Sequence, residues 1–113
     1  MRQSEFVPLG VLEEQILVAV LRSADEAYGM QVRREIERVT NRELAIGAVY
    51  ATLDRLEAKG LLASRRDVSD GPSRRVFALT AGGASALTET RAMRERLWRG
   101  IDVQRLYSLA VAR

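Results

Sequence analysis

A mainly α-helical fold with one small β-hairpin is the class this sequence predicts, and three observations predict it. Apolar residues recur at helical spacing in three successive segments before Gly60. A dense turn signal, Ser69-Asp70-Gly71-Pro72-Ser73, then separates two short strand-like runs. After Thr80 the helical pattern returns and continues through the last stretch.

The first helix is expected over residues 9–22. Leu9, Leu12, Ile16 and Val20, with Leu17, Val18 and Leu21, make it apolar around more than half its circumference, so it needs cover on two sides. Ser23-Ala24-Asp25-Glu26 breaks it and offers a cap to the next helix. That second helix runs from Ala27 to about Val39, with Val32, Ile36 and Val39 pointing inward. Thr40-Asn41-Arg42-Glu43 is a polar connector. The third helix opens near Ala45 and closes at Lys59-Gly60, with glycine just past the helix end. Ile46, Val49, Leu53 and Leu56 form its inner stripe. Its other side is nearly bald: Gly47, Ala51, Ala58 and Arg55, with Ala48 at the edge. A helix that only needed to be soluble would carry Glu, Lys or Gln there, and would avoid Gly, which costs about 1 kcal/mol against Ala.

After Gly60 the pattern changes. Leu61 to Val68 and Arg74 to Leu79 are strand candidates, and the turn between them gives the hairpin a basic tip. Thr80 can cap a long final helix in which Leu87, Met93, Leu97, Trp98 and Ile101 make a partial apolar stripe. Gly100 should bend or break it. Helix, helix, helix, hairpin, helix is the winged helix-turn-helix order over residues 1–80, with a C-terminal helical segment over residues 81–113. In that layout the third helix enters the major groove. A face of small residues lets its backbone approach base edges and phosphates. Helix–helix packing also prefers Gly and Ala, and winged helices also serve as protein-docking modules, so both readings of the bald face stand at this point.

Length and composition narrow the function classes. A chain of 113 residues holds one domain with a modest core. With 47% apolar and 29% charged residues, it fits a folded rather than a disordered protein. The longest apolar run, Ile16 to Leu21, falls far short of the ~20 residues of a membrane span. Glu5 and Pro8 stand where a signal peptide has its charged and apolar regions, so a cytoplasmic address is expected. There is no cysteine and no histidine. Disulfides, thiolate metal sites, the commonest neutral metal ligand and the usual general base are therefore missing. No Gly-rich phosphate loop or G-x-S-x-G turn is present either, so no enzyme, metal or cofactor is expected.

The net charge of +3 is unevenly spread: −3 over residues 1–27, +3 over 28–79 and +3 over 80–113. Every basic residue except Lys59 is an arginine, whose planar fork suits phosphate and guanine. A coding bias towards arginine gives the same composition. A polyanionic partner is permitted but not required.

Several elements together resemble the PadR family of bacterial transcriptional regulators: Ala27-Tyr28-Gly29-Met30, Arg33-Arg34-Glu35-Ile36, the run from Gly47 to Leu61, and Arg74-Arg75-Val76-Phe77-Ala78-Leu79-Thr80 with Gly83 after it. The likeness begins at Leu9-Gly10 and covers about residues 9–98. The resemblance implies a homodimer of the short-tailed subgroup, repressing from a pseudo-palindromic operator in double-stranded DNA. It also implies that residues 81–113 are the single C-terminal dimerisation helix, and that repression is relieved by a small aromatic or drug-like effector or by another cellular signal. A ligand-binding dimer or a protein-docking adaptor without DNA binding is the competing reading.

Carried over residue by residue, Tyr50 matches the recognition-helix tyrosine that contacts the DNA backbone, a positioning contact. Tyr28 matches a second tyrosine near the backbone; packing against the third helix is its other reading. Gly47, Ala48, Ala51 and Thr52 form the close-approach surface, and Thr52 could donate to a phosphate. Arg55 is placed to reach phosphate or guanine, or else to pair with Asp54 or Glu57. Arg74 and Arg75 are the wing candidates for a narrow minor groove. Val76, Ala78 and Ile46 depart from the family's usual residues. The dimer interface would use Leu12, Ile16, Met93, Leu97, Trp98 and Ile101. Trp98 also stands where some relatives line a ligand pocket, or it simply fills the seam.

Overall fold

Residues 7–69 and 71–112 are described by a computed structural model; Asp70 of the turn and Glu5 lie outside the described residues. The elements are α1 (Val11–Ser23), a short 3-10 turn (Ala24–Glu26), α2 (Gly29–Thr40), α3 (Ile46–Ala58), β1 (Leu62–Asp67), β2 (Arg74–Leu79), α4 (Ala81–Trp98) and α5 (Val103–Val111). This is a winged helix-turn-helix followed by two C-terminal helices.

Helix ends are set by local chemistry. α1 starts two residues later than the apolar pattern suggests, because Gly10 takes the cap position and donates its N–H to Glu13 Oε1 at 2.9 Å. α2 also starts two residues later than expected. Tyr28 is its extended cap residue, and Asn41 closes it in the left-handed conformation with φ 58°. The connector to α3 is held from both sides. Arg33 Nε donates to the Leu44 carbonyl at 2.9 Å, and the Leu44 N–H donates to Glu37 Oε2 at 2.8 Å.

The core gathers Ile16, Leu17 and Val20 from α1, Val32 and Ile36 from α2, Val49, Leu53 and Leu56 from α3, and Leu62 and Phe77 from the hairpin. Full burial of such side chains supplies roughly 1.5–3 kcal/mol each relative to exposure. The strands pair antiparallel with Leu62 opposite Leu79 and Asp67 opposite Arg74. The Phe77 N–H donates to the Ala27 carbonyl at 2.9 Å, which fastens the hairpin to the segment entering α2.

Thr80 caps α4, accepting the Gly83 N–H at 3.0 Å. Lower on α4, buried Thr90 accepts the Leu9 N–H at 3.2 Å. Further along, Arg94 still pairs with Glu14 of α1, and the residues after it are exposed. α4 ends at Trp98, Gly100 takes φ +83°, and Asp102 caps α5 by accepting from Gln104 N and Arg105 N. The interruption at Gly100 is thus a full break, followed by a separate nine-residue helix with no buried residue.

One interface expectation needs correction here. Ile16 is fully enclosed at 0% exposure within the core of its own chain, so it has no surface to offer a partner. Leu12 is partly buried and packs against that same core. Leu97, Trp98 and Ile101 are exposed, and Met93 is half-buried.

Candidate nucleic-acid interface

The outward face of α3 is as bare as its sequence. Gly47, Ala48 and Ala51 are exposed, and no heavy atom beyond its immediate neighbours lies within 4 Å of where a Gly47 side chain would begin. Tyr50 stands on the flank of this face at 39% exposure. Its ring lies against Gly29, the first residue of α2. A cleft of about 460 Å³ opens beside it, between the start of α2, α3 and the wing. Both phenols, Tyr28 and Tyr50, line this cleft together with Arg34, Arg66 and Arg74. The Arg74 guanidinium stacks over the Tyr28 ring, 3.8 Å from its centroid. Ser73 and Arg75 line it too, and three hydroxyl donors with four planar cations around one concavity suit a phosphate-bearing partner.

The structure redistributes the remaining residues. Thr52 is corrected: at 1% exposure it is buried, and its Oγ1 accepts from Arg55 Nη2 at 3.0 Å, so it faces no partner. Arg55 itself is exposed and has no carboxylate partner among the described residues. Asp54 and Glu57 pair instead with the wing. Arg75 Nη1 donates to Asp54 Oδ1 at 2.9 Å and Nη2 to Glu57 Oε1 at 2.6 Å, while the guanidinium also covers the Phe77 ring.

Arg75, expected as a wing contact to a minor groove, is instead engaged within its own chain. It bridges β2 to α3. Strand alternation puts Arg75 on the same face as Phe77, which points to the core, and this turns the guanidinium back onto the helix. Electrostatics follow from the pairing. The Ser64 hydroxyl, donating at 2.8 Å, and Arg75 together hold the Glu57 carboxyl below its usual range. Asp54 and Glu57 raise Arg75 above its own.

Five members of the cleft were not singled out from the sequence: Gly29, Met30, Arg34, Arg66 and Ser73. Arg34 sits inside the Arg33-Arg34-Glu35-Ile36 element. Arg66 stands directly opposite Arg75 in the hairpin register, a position that only strand pairing reveals.

A family model described as the Transcriptional regulator PadR-like family matches residues 16–89. The chain is 43% identical over 77 residues to Transcriptional regulator Rv3488 of Mycobacterium tuberculosis, spanning 68% of this chain and 71% of that protein. Among solved structures it is similar to a PadR-like transcription factor from Bacteroides fragilis, with a TM-score of 0.65 and 29% identity over 78% of this chain and 84% of that one. In fold alone it matches F93 from STIV, a winged-helix DNA-binding protein, with a TM-score of 0.68 and 16% identity over 83% of this chain and 98% of the other. No helix among the described residues is long and apolar enough to cross a membrane.

Proposed function

The chain belongs to the PadR-like family of transcriptional regulators, and from that premise we propose that it is a homodimeric repressor that sets two α3 helices into successive major grooves of a pseudo-palindromic operator. The observation that carries this reading is the pairing of a bare α3 face with the arginine- and tyrosine-lined cleft beside it. Gly47, Ala48 and Ala51 let the helix backbone approach base edges, and Arg55 reaches from the same helix towards phosphate or guanine. Tyr50, Tyr28 and Arg74 fix the register by holding the sugar-phosphate backbone.

The dimer half of the proposal rests on what the single chain leaves uncovered. The radius of gyration is 17.0 Å, against about 13 Å for a compact domain of this length. The excess lies in the tail. Leu97, Trp98, Ile101, Leu106, Tyr107 and Leu109 are all exposed there, and a nine-residue helix has little stability without packing. An open apolar groove of about 410 Å³ runs between α1 and α2, lined by Val11, Val18, Ile36 and Val39. Charge favours reciprocal contact, since residues 1–27 carry −3 and residues 80–113 carry +3. A cytoplasmic address and a small aromatic effector seated near Trp98 at the seam complete the proposal.

Fluorescence anisotropy with duplex from the region upstream of the protein's own gene tests it. Binding should weaken steeply with salt, with a log–log slope of about −0.9 per phosphate neutralised. Absence of salt-sensitive binding to any promoter fragment, with the bare α3 face instead buried against a protein, would favour a docking adaptor.

A further inference from the structure

We infer that Gly29 is a positioning residue for the DNA-binding surface: its missing side chain leaves the seat in which the Tyr50 ring rests, and so builds a cradle for one backbone phosphodiester. This rests on the duplex-binding reading above. The usual reasons for a glycine do not apply here. Gly29 does not take a positive φ, unlike Gly60, Gly71 and Gly100. As the first residue of α2 it sits where alanine would serve the helix better by up to about 1 kcal/mol. Space is the remaining reason. A Cβ built on Gly29 would lie 2.6 Å from Tyr50 Oη and closer still to its Cε1 and Cζ.

Every atom in that conflict belongs to the far end of the Tyr50 side chain; no backbone atom is among the three nearest. Tyr50 is partly exposed, so its ring has solvent to swing into. The fold can therefore accept a methyl group at position 29 by giving up the placement of Tyr50. What would be lost is the phenol. In its present seat Tyr50 shares one cleft with the Tyr28 phenol and the guanidinium groups of Arg34, Arg66 and Arg74. A tetrahedral phosphodiester held there meets hydroxyl donors from α2 and α3, and planar cations from α2 and the wing. Swinging the ring out removes the α3 donor and leaves the cations in place.

The test is a binding cycle on the full chain, using a duplex selected for tight binding to the unaltered protein. Gly29→Ala, Tyr50→Phe, Tyr50→Ala and the Gly29→Ala/Tyr50→Ala double variant are compared by anisotropy at fixed salt and by thermal melting. Gly29→Ala should melt at or above the parent temperature yet bind about tenfold more weakly, the scale of one lost hydrogen bond to a charged group. Tyr50→Phe should lose a similar factor. In the Tyr50→Ala background, Gly29→Ala should change affinity less than twofold, because the seat is already vacant. Parent-like binding by Gly29→Ala, or equal weakening in both backgrounds, overturns the inference while leaving duplex binding intact. Unfolding of Gly29→Ala that Tyr50→Ala does not repair overturns it too, by placing the role in backbone packing. Failure of the parent to bind duplex defeats the underlying functional reading, and the inference with it.

Discussion

Removing the Arg75 guanidinium separates a wing that touches DNA through this residue from a wing that is held by it. In Arg75→Ala three contacts go: the bond to Asp54 at 2.9 Å, the bond to Glu57 at 2.6 Å, and the stacking over Phe77 at 4.7 Å. Their sizes follow from exposure. Asp54 is 59% exposed, so solvent screens its pair and that bond contributes a few tenths of a kcal/mol. The Glu57 pair is more sheltered, at 30% and 34% exposure, and contributes up to about 1 kcal/mol. The stacking adds roughly 0.5 kcal/mol. The expected destabilisation is therefore about 1–2 kcal/mol, a fall in melting temperature of roughly 5–10 °C for a domain of this size. Arg75→Lys, which keeps the charge but loses the two-pronged geometry, should recover only part of it.

Duplex binding gives the second readout. Arg75→Ala leaves Asp54 and Glu57 uncompensated on the helix proposed to enter the groove, so affinity should fall. Arg75 also lines the cleft, but its guanidinium is taken up by the two carboxylates, so the slope of log affinity against log salt should stay within about 0.3 of the parent value. Adding Asp54→Asn and Glu57→Gln should restore part of the binding by removing the exposed negative charge. A slope that drops by nearly a full unit together with an unchanged melting temperature would refute the reasoning, and would return Arg75 to the wing tip as a phosphate contact.

Acid sensitivity is a further expectation. Arg38 and then Arg22 hold the Glu35 carboxyl at about 2 against an ordinary 4.5, and Glu13, Glu57 and Asp67 are lowered as well. A lowered folded value means the stabilisation is whole above about pH 4.5 and is lost as the pH falls towards 2. Urea midpoints should be level from pH 7 to 5 and drop below that, less so in Glu35→Gln; a level profile down to pH 2.5 contradicts the assignment. Leu106→Asp, on the uncovered face of α5, should give a monomer by light scattering and abolish the concentration dependence of the melting temperature. A parent protein already monomeric at micromolar concentration would remove the basis for the proposed assembly.

What the sequence disclosed and what it withheld divide along one line: local spacing against tertiary direction. Val49, Leu53 and Leu56 declare α3 and its inner stripe because helical period is a property of the chain itself. Ser69 through Ser73 and Thr80 mark the hairpin and the α4 cap for the same reason. Thr52 could not be placed this way. It stands next to the stripe on one side and the bare face on the other, and only the packing of the other elements decides which claims it. Ile16 failed similarly, since an all-round apolar helix does not say which of its sides meets its own core. The orientation of Arg75 was legible in principle, two residues before core-facing Phe77, but required assigning each residue of the strand candidate to one of its two faces. Gly29 was quoted within a motif, yet its purpose depends on a ring 21 positions later in the chain.

These assignments explain why the outer face of α3 is bald. Thirteen residues meet three demands at once. Val49, Leu53, Leu56 and Thr52 are taken by the core. Asp54 and Glu57 are taken by the wing through Arg75, and Tyr50 by its seat on Gly29. With Ile46 packed at the edge of the core, the arc that remains holds Gly47, Ala48, Ala51, Arg55 and Ala58. Acidic or long side chains on that arc would either repel phosphate or hold the backbone away from a groove. The helix's own acids are confined to the flank, where a cation from the wing neutralises them. A helix that served only as packing surface would have no need to neutralise that flank, and no need to spend a helical glycine of its neighbour on the placement of one phenol.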